Sequence, residues 1–318
     1  MNTSNKWSLM TYTPDKRESW NSFVQKSKNG TFLLNRNYMD YHADRFADGS
    51  LMLYRNRQLM ALLPGNLTGT CFYSHQGLTY GGLILPPAAT LSQAEYAFRL
   101  SLEYLHDHCH LTAFVYRAIP HIYHRYPAEE DLYLLNRLGA TLKARHLSSV
   151  VPADHRLPFR TLRRRQSKRA CNRHLILVND TLFAPYWDIL EENLRTRHGV
   201  APVHTLEEIT LLRRRFPNNI ALYRVCNDRQ ATLAGCVVYE TDTVAHVQYI
   251  ASSSQGRKAG ALDLLFDDLI HTRYADKRYF DFGISTEQDG QVLNEGLLFQ
   301  KEGFGARAVM YDTYELKL

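Results

Sequence analysis

In the C-terminal half, Ser252-Ser253-Ser254-Gln255-Gly256-Arg257-Lys258-Ala259-Gly260 joins a strand-like run to a helical one. A small-residue loop between strand and helix leaves backbone N–H groups unpaired, and the helix dipole adds partial positive charge. The segment therefore reads as an anion site for a phosphate-bearing ligand, with Ile250, Ser252, Gln255, Gly256, Arg257, Lys258 and Gly260 as candidate ligand-binding residues. A purely structural helix cap would have the same composition. The preceding run, Ala245 to Ala251, alternates, which predicts His246, Gln248 and Ile250 on one face and Val247 and Tyr249 on the other. Histidine titrates near neutral pH, so His246 is a candidate general base; the alternative is one more packed or solvated histidine among fourteen. Asp281-Phe282-Gly283 ends another strand-like run, where ligands of α/β sheets usually bind. Asp281, Glu287 and Asn294, with Gln248 and Tyr249, are candidate substrate-binding residues or else turn and cap residues.

The densest charge is Arg160-Thr161-Leu162-Arg163-Arg164-Arg165-Gln166-Ser167-Lys168-Arg169. On a helix Arg165, Arg169 and Arg173 form one stripe with Arg164 and Lys168 beside it. That stripe either neutralises phosphates or is a solvated linker helix. The net charge of +6 in 318 residues suits phosphate-bearing ligands without requiring them. Five scattered cysteines, without C-x-x-C spacing, argue against a disulfide framework or zinc site, and no metal is expected. Met1 to Trp7 is polar, and no run approaches the roughly 18 apolar residues a span needs. Neither signal peptide nor membrane span is expected, and the expected address is the cytoplasm.

The elements that must position these residues occur twice. In the first half, strand-like runs Leu51 to Tyr54 and Leu59 to Leu63 flank a polar turn, and an extended segment ends in Tyr80 to Leu85. A helix capped by Ser92, a strand at Ala113 to Val115, a short helix stopping at Gly139 and a strand at Leu147 to Val151 follow. The second half repeats the order with strands Ile220 to Val225, Leu233 to Tyr239 and Val244 to Ala251. A helix from Ala261 to His271, a strand Tyr279 to Phe282, a helix from Leu293 to Gly303 and a strand Arg307 to Tyr314 complete it. Tyr54 maps to Tyr223, Ser92 to Gly260, Phe114 to Asp281 and Gly139 to Gly303, a shift that drifts only from 169 to 164. Such register indicates a duplicated unit. The boundary is set at Pro152, giving domains 1–152 and 153–318, with 153–175 as a basic linker helix.

Leu298-Phe299-Gln300-Lys301-Glu302-Gly303-Phe304 resembles the "L-Y-x-K-x-G-F" ending of the GNAT acyltransferases. Lys301 to Gly305 is also similar to the "K-x-x-F-G" of FemAB-type, BioF2-like acyltransferases, with Gln300 where that family usually has Phe. The resemblance covers nearly the whole chain. It implies an α/β fold of two tandem GNAT-like units, each a mixed central sheet flanked by helices. It further implies that the Ser252–Gly260 loop holds the pyrophosphate of acetyl-CoA or another acyl-CoA. The family pattern "Q/R-x-x-G-x-G/A" fits imperfectly from either Gln255 or Arg257. By the same resemblance Lys301 is a second catalytic candidate, a cation near phosphate or oxyanion; a solvated lysine at a helix end is the alternative. Phe299 stands where GNAT enzymes often carry a proton-donating Tyr, so that step does not carry over. In the first half the corresponding loop, Pro86-Pro87-Ala88-Ala89-Thr90, has two prolines that lack N–H donors, so this half reads as scaffold and acceptor wall.

The expected activity is N-acyl transfer from acyl-CoA to an amine of a small molecule, amino sugar or cell-envelope precursor. The alternative within the fold is transfer from aminoacyl-tRNA, with tRNA held through Arg163, Arg164, Arg165, Lys168 and Arg169. The alternative of another class is a non-catalytic module that binds a nucleotide or RNA.

Overall fold

The computed structural model describes residues 6–318, apart from the side chains at positions 197 and 198. Of the polar segment Met1 to Trp7, the first five residues lie outside the described residues. Two compact units emerge: one runs through His146 and adds Glu287–Val292 and Met310–Leu318, and the other comprises Leu147–Thr286 and Leu293–Val309. The division thus falls six residues before the expected Pro152, inside the strand Thr141–Pro152.

In the first unit, strands Leu51–Arg55 and Gln58–Leu63 form a hairpin. Its turn residues Asn56 and Arg57 take φ of 50° and 68°, the left-handed geometry of a two-residue hairpin turn. Trp7–Thr11 adds a third strand. The extended segment at 80–85 contributes only a single bridge, Leu62 to Ile84, in place of a full strand. Helix Leu91–Asp107 is capped by Thr90, not Ser92: Thr90 accepts from the Gln93 N–H while the Gln93 side chain accepts from the Thr90 N–H. Ala94, Ala97, Phe98 and Leu105 then fall on one face and pack into a core with Phe72 and Phe114. Strand Ala113–Arg117 runs parallel to Cys71–Tyr73 and antiparallel to Thr313–Lys317.

In the second unit, the strand order is Ser148–Pro152, Tyr279–Ile284, Val244–Ser252, Thr232–Glu240, Ile220–Cys226 and Ile176–Asp180. Every neighbouring pair is antiparallel except Val244–Ser252 with Tyr279–Ile284, which is parallel. Helix Ala261–Asp268 seats Phe266 against Phe282 and Phe304, with ring centroids 4.9 and 5.3 Å away. Burying such a ring contributes roughly 1.5–3 kcal/mol. Helices Ala184–His198 and Leu206–Arg215 and strand Ile176–Asp180 complete the unit. Among the described residues no helix is long and apolar enough to cross a membrane, and no group of three or more metal-ligating side chains is assembled.

Candidate functional site

The parallel pairing runs from Val244 opposite Tyr279 to His246 opposite Asp281. Side chains in register on parallel neighbours project to the same face. Phe280 and Phe282 both enter the core, so Asp281 between them points the other way, towards His246. His246 Nδ1 and Asp281 Oδ2 are 2.8 Å apart. Asp281 is fully buried, and its Oδ1 accepts from Ser148 Oγ at 2.5 Å and from the Gly283 N–H at 2.9 Å. An ionised carboxylate is an acceptor on every side, so the proton of this contact belongs on His246 Nδ1. That tautomer makes Nε2 the basic nitrogen, which has no protein partner among the described residues.

Lys301 enters the same neighbourhood from helix Glu295–Glu302. Its ammonium is buried and donates to the carbonyls of Gly283 at 2.8 Å and Ile284 at 2.6 Å. Burial lowers its pKa to about 8, opposed by the negative charge of Asp281. An ammonium has three N–H groups, and the third has no protein partner among the described residues. The solvated helix-end lysine that the sequence also allowed is excluded by this burial. Gly283 links the two side chains: its φ is +76°, and a Cβ there would lie 3.4 Å from His246 Cε1.

A β-bulge corrects the expected alternation of the strand. Tyr249 faces Val237 and Val247 faces Val238, leaving Gln248 as an extra residue. Past the bulge the faces exchange. Val247 lies in the core with Ile250 packed against it, rather than sharing a face with Tyr249. Tyr249 instead packs edge-on against Trp187, and its hydroxyl meets His204 Nδ1 at 2.6 Å.

The expected open loop is also replaced. Ser253 caps a helix at Ser254–Ala259 by accepting from the Gly256 N–H, and Gly260, at φ +78°, ends it. The N–H groups of Ser253, Gly256, Arg257 and Gly260 are committed to Leu233 O, Ser253 Oγ, Ser253 O and Arg257 O. Cβ atoms on Gly256 and Gly260 would lie 2.2 Å from Leu233 O and 2.7 Å from Gln166 O. These glycines serve close packing against protein backbone. The segment is thus a short capped helix rather than the open glycine-rich loop expected.

A cleft of about 480 Å³ nevertheless lies beside it. Ile250, Ser252, Gly256, Arg257 and Gly260 line it, whereas Gln255 and Lys258 are exposed outside the lining. Its other walls are Leu190, Asn193 and Leu194 of helix Ala184–His198, Ala261 and Leu262, Leu297 and Gln300, and the ion pair of Arg163 with Asp263 at 3.0 Å. Burial raises the Asp263 pKa, with Arg163 pulling it back down. Arg257 turns inward to the Ser252 carbonyl at 2.6 Å. Arg163, expected among the residues that hold tRNA, belongs to this wall because it sits on the packed side of its helix with Ser167 and Ala170.

The remaining candidates separate. Asp281 orients His246 and, being wholly buried, does not reach out to a substrate. Asn294 caps helix Glu295–Glu302 by accepting from the Leu297 N–H, and Glu287 is exposed in the other unit. Sequence reasoning missed Ser148, Asn193 and Asp263. None had a legible hint: Ser148 lies beside a second serine, Ser149, in a strand that also carries Lys143, Arg145 and His146.

No protein-family model matches the sequence, and no curated protein matches it. Solved structures do. FemX aligns at TM-score 0.70 over 98% of this chain and 97% of its own, with 12% identity. L-PGS from Bacillus licheniformis aligns at 0.60 over 96% and 91%, with 11% identity. A conserved protein of unknown function from Bacteroides thetaiotaomicron aligns at 0.60 over 98% and 100%, also with 11% identity. At such identities the likeness speaks for the fold alone: over nearly its whole length the chain has the fold of FemX.

Proposed function

We propose that this protein is an N-acyltransferase whose chemistry resides in the second unit. The observation that carries this reading is the buried Asp281, which holds His246 Nδ1–H while Lys301 donates to the carbonyl of Gly283 beside it. In this reading an acceptor amine attacks the donor's carbonyl carbon and His246 Nε2 takes the amine proton. The third Lys301 N–H supports the oxygen that becomes negative. The tetrahedral adduct then expels the donor's leaving oxygen or sulfur, which receives the proton from the imidazolium. Acid–base catalysis of this kind contributes about 10²–10⁴-fold, and one oxyanion donor about 10²–10³-fold.

The pairing of the Ser253, Gly256, Arg257 and Gly260 N–H groups within the protein favours a donor that does not rely on them for a pyrophosphate grip. An aminoacyl ester on RNA meets that condition better than acyl-CoA. The amine acceptor is a small molecule or glycan precursor. The test is incubation with aminoacyl-tRNA or acetyl-CoA and a panel of amino sugars, amino acids and cell-envelope precursors, read by mass spectrometry. An acylated product with the RNA-linked donor supports the full reading. Product with acetyl-CoA alone retains the chemistry and reverses the donor. No product with either donor leaves a non-catalytic binding module.

A further inference from the structure

Where helices Thr161–Cys171 and Glu295–Glu302 meet, an aromatic ring is left open. Phe299 is 56% exposed, and the Arg160 guanidinium lies 4.4 Å from its ring centroid. Arg160 is fixed there twice: its N–H donates to Gly303 O at 2.8 Å and its Nη2 to Glu302 at 3.2 Å. A single exposed Phe is unexceptional. This one stands at the end of a cationic row.

Arg164 and Lys168 follow Arg160 at four-residue steps, each advancing about 6 Å along the helix, and Arg165 and Arg169 run alongside. All four are exposed, and among the described residues none has a carboxylate partner. Their neighbour Arg163 on the packed face does have one, Asp263. A row of unpartnered cations ending in an open aromatic face is how proteins hold single-stranded nucleic acid: the cations follow the phosphates and the ring stacks on a base. Four unpaired cations over about one and a half turns exceed what a single small nucleotide engages, which favours a polynucleotide. Two residues before Phe299 and one after it, Leu297 and Gln300 line the cleft.

We infer that Phe299 and Arg160 form a stacking platform for an unstacked base near the end of a single-stranded RNA, whose phosphates run along Arg164, Lys168, Arg165 and Arg169. This deepens the acyltransferase reading, on which it rests, by assigning the place where the nucleotide part of the donor is held. The linked acyl group would then enter the cleft beside Leu297 and Gln300.

The experiment is fluorescence anisotropy of a labelled eight-nucleotide single-stranded RNA titrated with the full-length protein, without acyl donor. Phe299→Ala and Phe299→Leu are both expected to weaken binding at least fivefold, as loss of one stacked base does, while Phe299→Tyr keeps it within twofold. The Leu variant preserves apolar packing, so its loss separates stacking from folding. Arg164→Ala with Lys168→Ala should reduce the slope of log K against log salt by about 1.4, the value for two phosphates of a single strand. His246→Gln should bind like the wild type. Failure of transfer with binding intact therefore counts against the acyltransferase reading alone, and failure of binding with transfer intact against the platform alone. Absent RNA binding, or equal binding by Phe299→Leu and wild type, would overturn the inference. Displacement of the RNA by sub-millimolar CoA would overturn its polynucleotide part and assign the platform to an adenine nucleotide.

Discussion

Replacing Lys301 by Met tests the buried ammonium without knowledge of any substrate. Burial lowers its pKa from the ordinary 10.5 of a lysine to about 8 in the folded protein. At about 1.4 kcal/mol per pKa unit, the charged form costs the fold on the order of 3 kcal/mol. Below pH 8 both folded and unfolded chains carry the proton, so the whole penalty is present. Between pH 8 and 10.5 the folded chain releases its proton first, the unfolded chain binds more protons, and stability rises with pH. Above 10.5 the contribution is flat. Integrated from pH 7.5 to 9.5 it amounts to about 2 kcal/mol in favour of the wild type. Urea unfolding of wild type and Lys301→Met at both pH values isolates the contribution, because other titrating groups cancel in the difference. The variant is expected to lose about 2 kcal/mol relative to the wild type over that interval, whatever its stability at pH 7.5. Parallel curves, within about 0.5 kcal/mol, would mean that Lys301 is hydrated, and the oxyanion role would go with its burial.

Three further outcomes are expected. Asp281→Asn, which must present an amide to His246 or to Ser148, should favour the wrong imidazole tautomer and slow transfer by about 10²-fold or more, with little change in acceptor KM; a loss under threefold in single-turnover assays would argue against the dyad. His75 sits at φ +74° with its pKa lowered to about 3 by burial, so its contribution to stability is lost as pH falls from 6.5 towards 3. Asn tolerates that backbone, and His75→Asn should remove about 2 kcal/mol of the stability lost between pH 7 and 5, measured by urea unfolding. Gly260→Ala combines a left-handed φ with a Cβ 2.7 Å from Gln166 O, and should cost about 2 kcal/mol or more in the same assay; an unchanged midpoint would contradict the close packing of that helix junction.

The order of strands and helices was legible where local signals are strong. The Asn227 to Gln230 turn closes the hairpin of the second unit, with Asn227 Oδ1 accepting from the Arg229 and Ala231 N–H groups. The Gly303 stop after Lys301 ends the last helix as expected. His246 and Lys301 stood out by residue type, but their environments did not. The contact between His246 and Asp281 joins positions 35 residues apart across a parallel pair, a register that no local pattern encodes. No Gly or Pro marks the bulge at Gln248, so simple alternation put Val247 and Tyr249 on one face. Ser253 followed by polar residues looks alike whether the segment is an open loop or one capped turn of helix. Close packing of Gly256 and Gly260, a long-range property, decided the matter.

The account's central claim is that His246, oriented by Asp281, takes the acceptor's proton. The most direct measurement is the single-turnover rate of amide formation by wild type and His246→Gln, with matched melting curves and saturating donor and acceptor. The account predicts a fall of about 10²–10⁴-fold in the rate of the chemical step with acceptor binding unchanged. A rate within threefold of the wild type would contradict it.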